Sequence, residues 1–449
     1  MTQSIPVAVP RLKKTAPLIK LNSTDYVLLA FLVIGVILTT SATLMFDLPR
    51  PVAGVAYLGL YLALSFRYPA LALALTLAVA PFQQSLTGSE EGKGIQIALA
   101  EFNVFLTLPA FLLACLLRRS PPKFGPLLLP IGFFFAVCLY SSAMSWRATS
   151  ALSSLLQMFL YMVITVVVFS SFLKKPEQLK IGLQGLVGVC VVLSVLLIAL
   201  RTNYVFGLHK NGIGSSLACG LLVNAELWFS ETDKKRRTRH ILTLVIISLG
   251  LVATLSRGSW LSALVGLILI IGLRREYKIM LNLLLLLIPL ITVAFVLMPE
   301  EDKDYAFDIA NTKRWNVQQR VLNSEYARSQ FNKNPLTGVG VGLRKEYDAT
   351  NILWTTLAET GVIGLSAFLL VHLAFLSMVI TASRHLPKTD PAFALLPIGA
   401  ALLFSRLTHG MVDHYWSRGA LMLGWAGAGM SVRTYYLAQQ YKKKKRGTA

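Results

Sequence analysis

Residues 241–273 read ILTLVIISLGLVATLSRGSWLSALVGLILIIGL. The stretch is apolar apart from small polar residues and one arginine, Arg257, near its centre. A helix rises about 1.5 Å per residue, so roughly 20 apolar residues cross the hydrocarbon core of a bilayer. The runs 241–256 and 258–273 are each somewhat short of that length and abut at Ser256–Gly258. They read as two membrane spans joined by a tight outer turn, with the span count open by one where the runs meet.

The same reading extends in both directions. Further spans are expected near 26–46, 51–66, 69–86, 98–117, 125–144, 150–172, 181–200, 212–229, 279–298, 352–380, 392–408 and 418–437. The fold class is therefore an all-α polytopic membrane protein of about 14 transmembrane helices (12–14) with one long periplasmic loop. Composition agrees. Hydrophobic residues make up 55% of the 449-residue chain and charged residues 14%, against ~25% charged in a soluble domain. The net charge is nonetheless +22, from 43 Lys+Arg and 21 Asp+Glu. A disordered chain is excluded by the hydrophobicity. A nucleic-acid binder would not place its basic residues among apolar runs, so no nucleic-acid partner is expected.

The basic residues fix an orientation. With the N-terminus inside, every second loop is basic: Arg118, Arg119 and Lys123; Lys174, Lys175 and Lys180; Lys234, Lys235, Arg236, Arg237 and Arg239; Arg274, Arg275 and Lys278. The tail adds Lys442 to Lys445 and Arg446. Cytoplasmic loops carry such an excess, and losing one span would move the basic tail outside. The expected organisation is a cytoplasmic tail 1–25, spans over 26–298, a large periplasmic loop 299–351, spans over 352–437 and a cytoplasmic tail 438–449. The first 25 residues lack an apolar h-region with a cleavage site, so the first span is expected to stay as an anchor.

Cys115, Cys138, Cys190 and Cys219 all lie in apolar runs, without CxxC or Cys/His spacing. Neither a disulfide framework nor a structural zinc site is expected. The loop 299–351 balances acidic and basic residues, and its length suits a functional element. Within it Asn311–Lys333 can form one or two short helices. Asn334-Pro335 ends them, and Gly338, Gly340 and Gly342 read as a flexible turn. These glycines are not a dinucleotide fingerprint, because they follow no strand and are not GxGxxG.

Several outer features can carry chemistry. Arg257 sits where a charge is costly; it either snorkels to headgroups or binds an anion, and its planar fork fits phosphate oxygens. Arg320 and Arg314 lie in the long loop, on the same side as Lys210, Arg344, Arg406 and Arg418. Arg406 also interrupts an apolar run. Such a set of cations suits a lipid-linked phosphate or diphosphate. The turn Thr408–Arg418 concentrates His409, Asp413, His414, Tyr415 and Trp416. It is either an interfacial belt or a place where Asp413 orients an arginine or a sugar hydroxyl. The spacing gives no metal motif, and no cofactor is expected. Gly207–Gly212 opens another outer helix, with Asn211 as a candidate N-cap.

Three pieces in order resemble the O-antigen ligase and polymerase superfamily of bacterial membrane glycosyltransferases. Thr254–Trp260 is similar to the family's threonine-x-Ser-Arg-Gly segment. Arg320 followed by Asn334-Pro335-Leu336-Thr337-Gly338-Val339-Gly340 resembles its loop arginine and Pro-Leu-x-Gly-x-Gly turn. Asn351-Ile-Leu-Trp, running on to Glu359-Thr-Gly361-Val-Ile-Gly364, resembles its Asn…Glu-x-Gly-x-x-Gly helix start. The core of the resemblance covers roughly 240–380.

The resemblance implies a GT-C-like, inverting, metal-independent glycosyltransferase of the bacterial inner membrane, with both termini cytoplasmic and a periplasmic site. The donor it implies is an oligosaccharide on undecaprenyl diphosphate, and the acceptor a glycan or lipid A-core. A chain-length regulator or a flippase would be the protein partner. Arg257 and Arg320 would bind the diphosphate, and Asp413 would match a family acidic residue. Lys210, Arg314, Arg344, Asn351, Arg406, His409, His414 and Arg418 would line the substrate. One departure stands out. The family's ligases carry a histidine where this chain has Thr350. Glu346, Asp348, His409 and His414 are the candidate replacements as base, and the change favours a polysaccharide polymerase over a lipid A-core ligase or a protein O-oligosaccharyltransferase. A transporter, for inorganic carbon or another small solute, is the reading from another class; the pseudo-repeat it should show is not visible.

Overall fold

The computed structural model describes residues 50–83, 97–118, 121–143, 145, 147–173, 175–202, 204–278, 285, 292, 296, 315–416 and 419–447. The chain divides into two compact units, residues 1–60 and 61–449. Of the first, the described part is the opening of α1 (Arg50–Arg67). The second is built from α2 (Pro69–Val79), α3 (Leu99–Arg118), α4 (Leu128–Ala143), α5 (Ala148–Ser171) and α6 (Lys180–Leu200). A hairpin of β1 (Tyr204–Val205) and β2 (Leu208–His209) leads into α7 (Lys210–Ser230). Then follow α8 (Lys234–Ala253), α9 (Arg257–Arg274), α10 (Trp315–Lys333), α11 (Ile352–His385), α12 (Leu395–His409) and α13 (Ala420–Lys445).

Among the described residues the architecture is all-α apart from that hairpin. Among the described residues seven helical stretches are long and apolar enough to cross a membrane, and Gly54–Arg67, Pro69–Val79 and Leu395–His409 are shorter apolar helices. The protein is a multi-pass membrane protein. The expected span 26–46, and nearly all of 279–298, lie outside the described residues. The span expected over 69–86 is a shorter helix. It ends at Val79, just ahead of Pro81, which has no N–H to continue the ladder.

The opening stretch resolves into two helices. Leu255 takes a left-handed φ of 53°, and the Thr254 hydroxyl donates to the Leu251 carbonyl at 2.6 Å. The Trp260 indole donates to the same carbonyl at 2.8 Å. Arg257 is thus the first residue of α9, with Ser256 before it as cap.

α7 lies at the centre, buried along nearly its whole length, and packs against α6, α8, α9 and α12. α12 packs on α9 and α13, and α13 also on α5 and α11. Lipid tails are as apolar as leucine, so helices in a bilayer associate through close packing of small residues. Accordingly, a methyl on Gly427 of α13 would lie 2.9 Å from the Gly399 Cα of α12, and one on Gly182 of α6 2.5 Å from the Ala74 Cα of α2.

Buried carboxylates among the described residues are hydrogen-bonded. Arg274 at the end of α9 grips Glu226 of α7 through Nε at 2.7 Å and a second nitrogen at 2.5 Å. Near the opposite end of the helices, Glu101 accepts the Gly419 N–H at 2.7 Å and the Tyr161 hydroxyl at 3.2 Å.

Candidate active site

The starts of α7, α9 and α11 and the end of α12 meet at one end of the bundle. A methyl on Gly214 of α7 would lie 2.7 Å from the Ser259 hydroxyl of α9. One on Gly258 would lie 2.6 Å from Val412 and 3.7 Å from the His409 Nε2. The Ile352 N–H of α11 donates to the Gly410 carbonyl at 2.8 Å. The outer features singled out in α7, α9, α11 and α12 therefore share one end.

The glycine turn after α10 is fixed, not flexible as its composition suggests. Gly338, Gly340 and Gly342 have φ of 71°, 100° and 110°, the left-handed region that glycine enters without steric cost. A side chain at Gly338 would collide with the Glu359 and Thr360 backbone, one at Gly340 with Ser145, and one at Gly342 with the Ser150–Ala151 backbone. The glycines are there for close approach. What they approach is Glu359 of α11. Its carboxylate accepts the Gly342 N–H at 2.9 Å, the Arg344 N–H at 3.1 Å and the Arg344 Nε at 3.0 Å, and a further Arg344 nitrogen closes the pair. The Glu359 carbonyl accepts from Gly340 at 3.0 Å and from the Ser141 hydroxyl at 2.6 Å. α11 breaks at Gly361 (φ 66°, ψ −168°), which frees Val362 to donate to the Pro335 carbonyl at 2.9 Å. The two motif segments are one interlocked clasp, and Arg344 is engaged inside it, with its guanidinium 4.7 Å from the Trp416 ring.

Most other expected site residues are also engaged by the scaffold. Glu346 pairs with the buried Arg147 at 3.1 Å. Asn351 caps α11, accepting the Leu353 and Trp354 N–H groups at 3.0 and 3.2 Å and donating to the Met411 carbonyl at 3.0 Å. Arg406 is buried. It donates to the Tyr415 carbonyl at 2.7 Å, to the His414 carbonyl, and to the His409 Nδ1 at 2.9 Å. It ties the 410–416 turn back to α12. Lys210, the first residue of α7, is partly buried and not free. The cap of α7 is His209, whose Nδ1 accepts the Asn211 N–H at 3.3 Å, and not Asn211. Arg314 and Arg418 lie outside the described residues.

Among the described site residues two cations remain open. Arg257 and Arg320 are exposed, and neither side chain has a hydrogen-bond or ion-pair partner among the described residues. The α9 backbone beside Arg257 and the Arg320 charge both lie near His409. Gly258, next to Arg257, lies against the His409 ring, and Arg320 on α10 is close enough for its charge to be felt there. Arg257 stands at the positive end of the α9 macrodipole, where a cation is disfavoured and an anion is welcome. Arg320 lines an open cleft of about 350 Å³ with Val321, Ser324, Glu325, Arg328 and Trp354.

Two acids and a histidine complete the surface. Burial works against the Asp413 charge, but His409, His414 and Arg406 beside it hold the carboxyl below the usual range. Asp413 lies 4.0 Å from the His409 Nε2. The exposed His414 ring pairs through Nδ1 with Asp348 at 3.0 Å, and that hydrogen bond raises its pKa above the ordinary histidine value against the effect of burial. Sequence reasoning did not single out Arg147. Its signal was a charge between two apolar runs, in Ser145-Trp146-Arg147.

Residues 242–369 match the family model described as O-antigen ligase. The matched stretch runs from within α8 to within α11 and contains Arg257, Arg320, the glycine turn and Glu359. It bears out the resemblance to the O-antigen ligase and polymerase superfamily, and supports a glycosyltransferase of that type in a multi-pass membrane protein. No curated protein sequence matches the chain.

Proposed function

We propose that this protein transfers a glycan from undecaprenyl diphosphate to a glycan acceptor at the periplasmic face of the bacterial inner membrane, as a polysaccharide polymerase. The observation that carries the reading is the pair of open arginines, Arg257 at the start of α9 and Arg320 on α10, left without partners among the described residues while Arg344 and Arg406 are engaged in the scaffold. Two planar guanidinium groups match the oxygens of a diphosphate. Negative charge grows on the leaving oxygen as the sugar–oxygen bond breaks, and cations already in place meet it without reorganisation. The reaction is inverting, by one displacement at the anomeric carbon. The cations supply the charge stabilisation that a metal ion supplies elsewhere. Asp413 holds the turn that presents His409 and His414. Thr350, whose hydroxyl donates to the Ala349 carbonyl at 2.7 Å, favours a polymerase over a ligase. Both termini are cytoplasmic in this reading.

The test is reconstitution with a lipid-linked oligosaccharide. Lengthening of the lipid-linked product supports polymerisation, and transfer to lipid A-core or protein supports ligation in its place. Absence of donor consumption sinks the glycosyltransferase reading and leaves the transporter.

A further inference from the structure

Transfer to a sugar hydroxyl needs a group that accepts the hydroxyl proton. Of the four candidates Glu346, Asp348, His409 and His414, the described residues leave one free to do so. The Glu346 carboxylate is paired with Arg147. The His409 ring is buried, and its Nδ1 accepts from the Arg406 guanidinium, so a further proton would bring two cations into contact. The Asp348 carboxylate accepts the Thr350 N–H at 2.9 Å through one oxygen and faces His414 with the other at 3.0 Å. His414 alone combines an exposed ring, an oriented Nδ1 and an Nε2 without a partner among the described residues. Carboxylate, Nδ1–H and outward Nε2 form the arrangement by which a carboxylate fixes a histidine tautomer and steadies the imidazolium.

Resting on the diphosphate-clamp reading, we propose that His414 is the general base that activates the acceptor hydroxyl, with Asp348 as its positioning residue. The base then comes from the turn after α12 instead of from position 350, and it reaches the same place because Asp348 lies two residues before Thr350. The acceptor oxygen forms a bond to the anomeric carbon of the donor sugar. The bond from that carbon to the diphosphate oxygen breaks, and its electron pair leaves with the polyprenyl diphosphate beside Arg257 and Arg320. The hydroxyl proton passes to His414 Nε2 and from there to water. Asp348, Asp413 and Arg406 are the charged groups that act on the ring; the two carboxylates favour the imidazolium and Arg406 opposes it.

The experiment uses the full chain in proteoliposomes with a polyprenyl-diphosphate-linked oligosaccharide, reading donor binding and transfer rate against pH. The unsubstituted protein gives a rate that rises with pH through the His414 titration. H414Q keeps donor binding, transfers about 10²–10⁴-fold more slowly and loses that limb. D348N moves the limb down toward about pH 6.5, the value of an unpaired histidine. H414G regains part of its rate with added imidazole. An H414Q rate and limb equal to those of the unsubstituted protein overturn the dyad. So does loss of donor binding in H414Q, which would place the ring in the clamp. Absence of donor consumption by the unsubstituted protein overturns both readings, whereas loss in R257A and R320A with H414Q unimpaired overturns the dyad alone.

Discussion

Glu359 and Arg344 meet through a fork of charge-assisted hydrogen bonds, with the Arg344 Nε 3.0 Å from one carboxylate oxygen. Both side chains are buried, at 2% and 5% exposure. That oxygen also takes two backbone N–H groups. A buried pair of this kind stabilises little relative to an apolar replacement of equal shape, but removing one partner strands the other charge at a cost of about 3–5 kcal/mol. Glu359→Ala should therefore lower the midpoint of thermal unfolding in detergent substantially, and more than Glu346→Ala does. Equal midpoints for the two variants would refute the clasp.

The turn after α12 gives a second prediction. Arg406 satisfies the carbonyls of His414 and Tyr415, and its loss leaves buried acceptors unpaired at about 1–3 kcal/mol each. Arg406→Met, which keeps the apolar stem, should destabilise the fold and raise protease cleavage within 410–416. Unchanged stability with selective loss of donor binding would instead make Arg406 a ligand of substrate.

Arg257 and Arg320 should behave in the opposite way. Neither side chain has a partner among the described residues, so Arg257→Ala and Arg320→Ala should unfold at the same temperature as the parent. Transfer should fall by roughly 10²–10³-fold for each, the scale of removing one preplaced charge stabiliser. Lysine should restore only part, since it offers a point charge in place of a fork. Long-chain product from either alanine variant would remove the clamp.

pH supplies a fourth measurement. The Asp348 hydrogen bond raises the His414 pKa above its unfolded value. Folding therefore favours the protonated ring. The stabilisation is fully present below about pH 6.5, the unfolded value, and is lost as pH rises through the higher folded value. The thermal midpoint should fall over that interval, by a small amount because the ring is exposed. In His414→Gln this component should vanish.

The parts of the fold legible in the sequence were those set by local composition. Arg257 stood out because a charge interrupts an apolar run, and among the described residues helices stand over the apolar runs, although the run expected over 69–86 gives a helix that ends at Val79. What escaped was set by pairing across the chain. Arg406 and Arg344 looked like the same kind of cation as Arg257, and only the carbonyls of 414–415 and the carboxylate of Glu359 separate them. Alternating glycines read as flexibility, because no local signal announces the backbone they press against. The cap of α7 fell to His209 over Asn211, a choice fixed by the hairpin ahead of it.

The break at Gly361 redraws the border between loop and helix bundle. Residues 352–360 are helical, but their hydrogen bonds and close contacts tie them to the 335–344 segment and the turn after α12. In assembly terms the loop module ends at Gly361, within a helix, and not at the helix start. A chimera that grafts the corresponding loop of a relative onto this bundle should be joined after Gly361. A junction at Asn351 would cut every tie between Glu359 and its own loop, and would assemble two halves of different clasps.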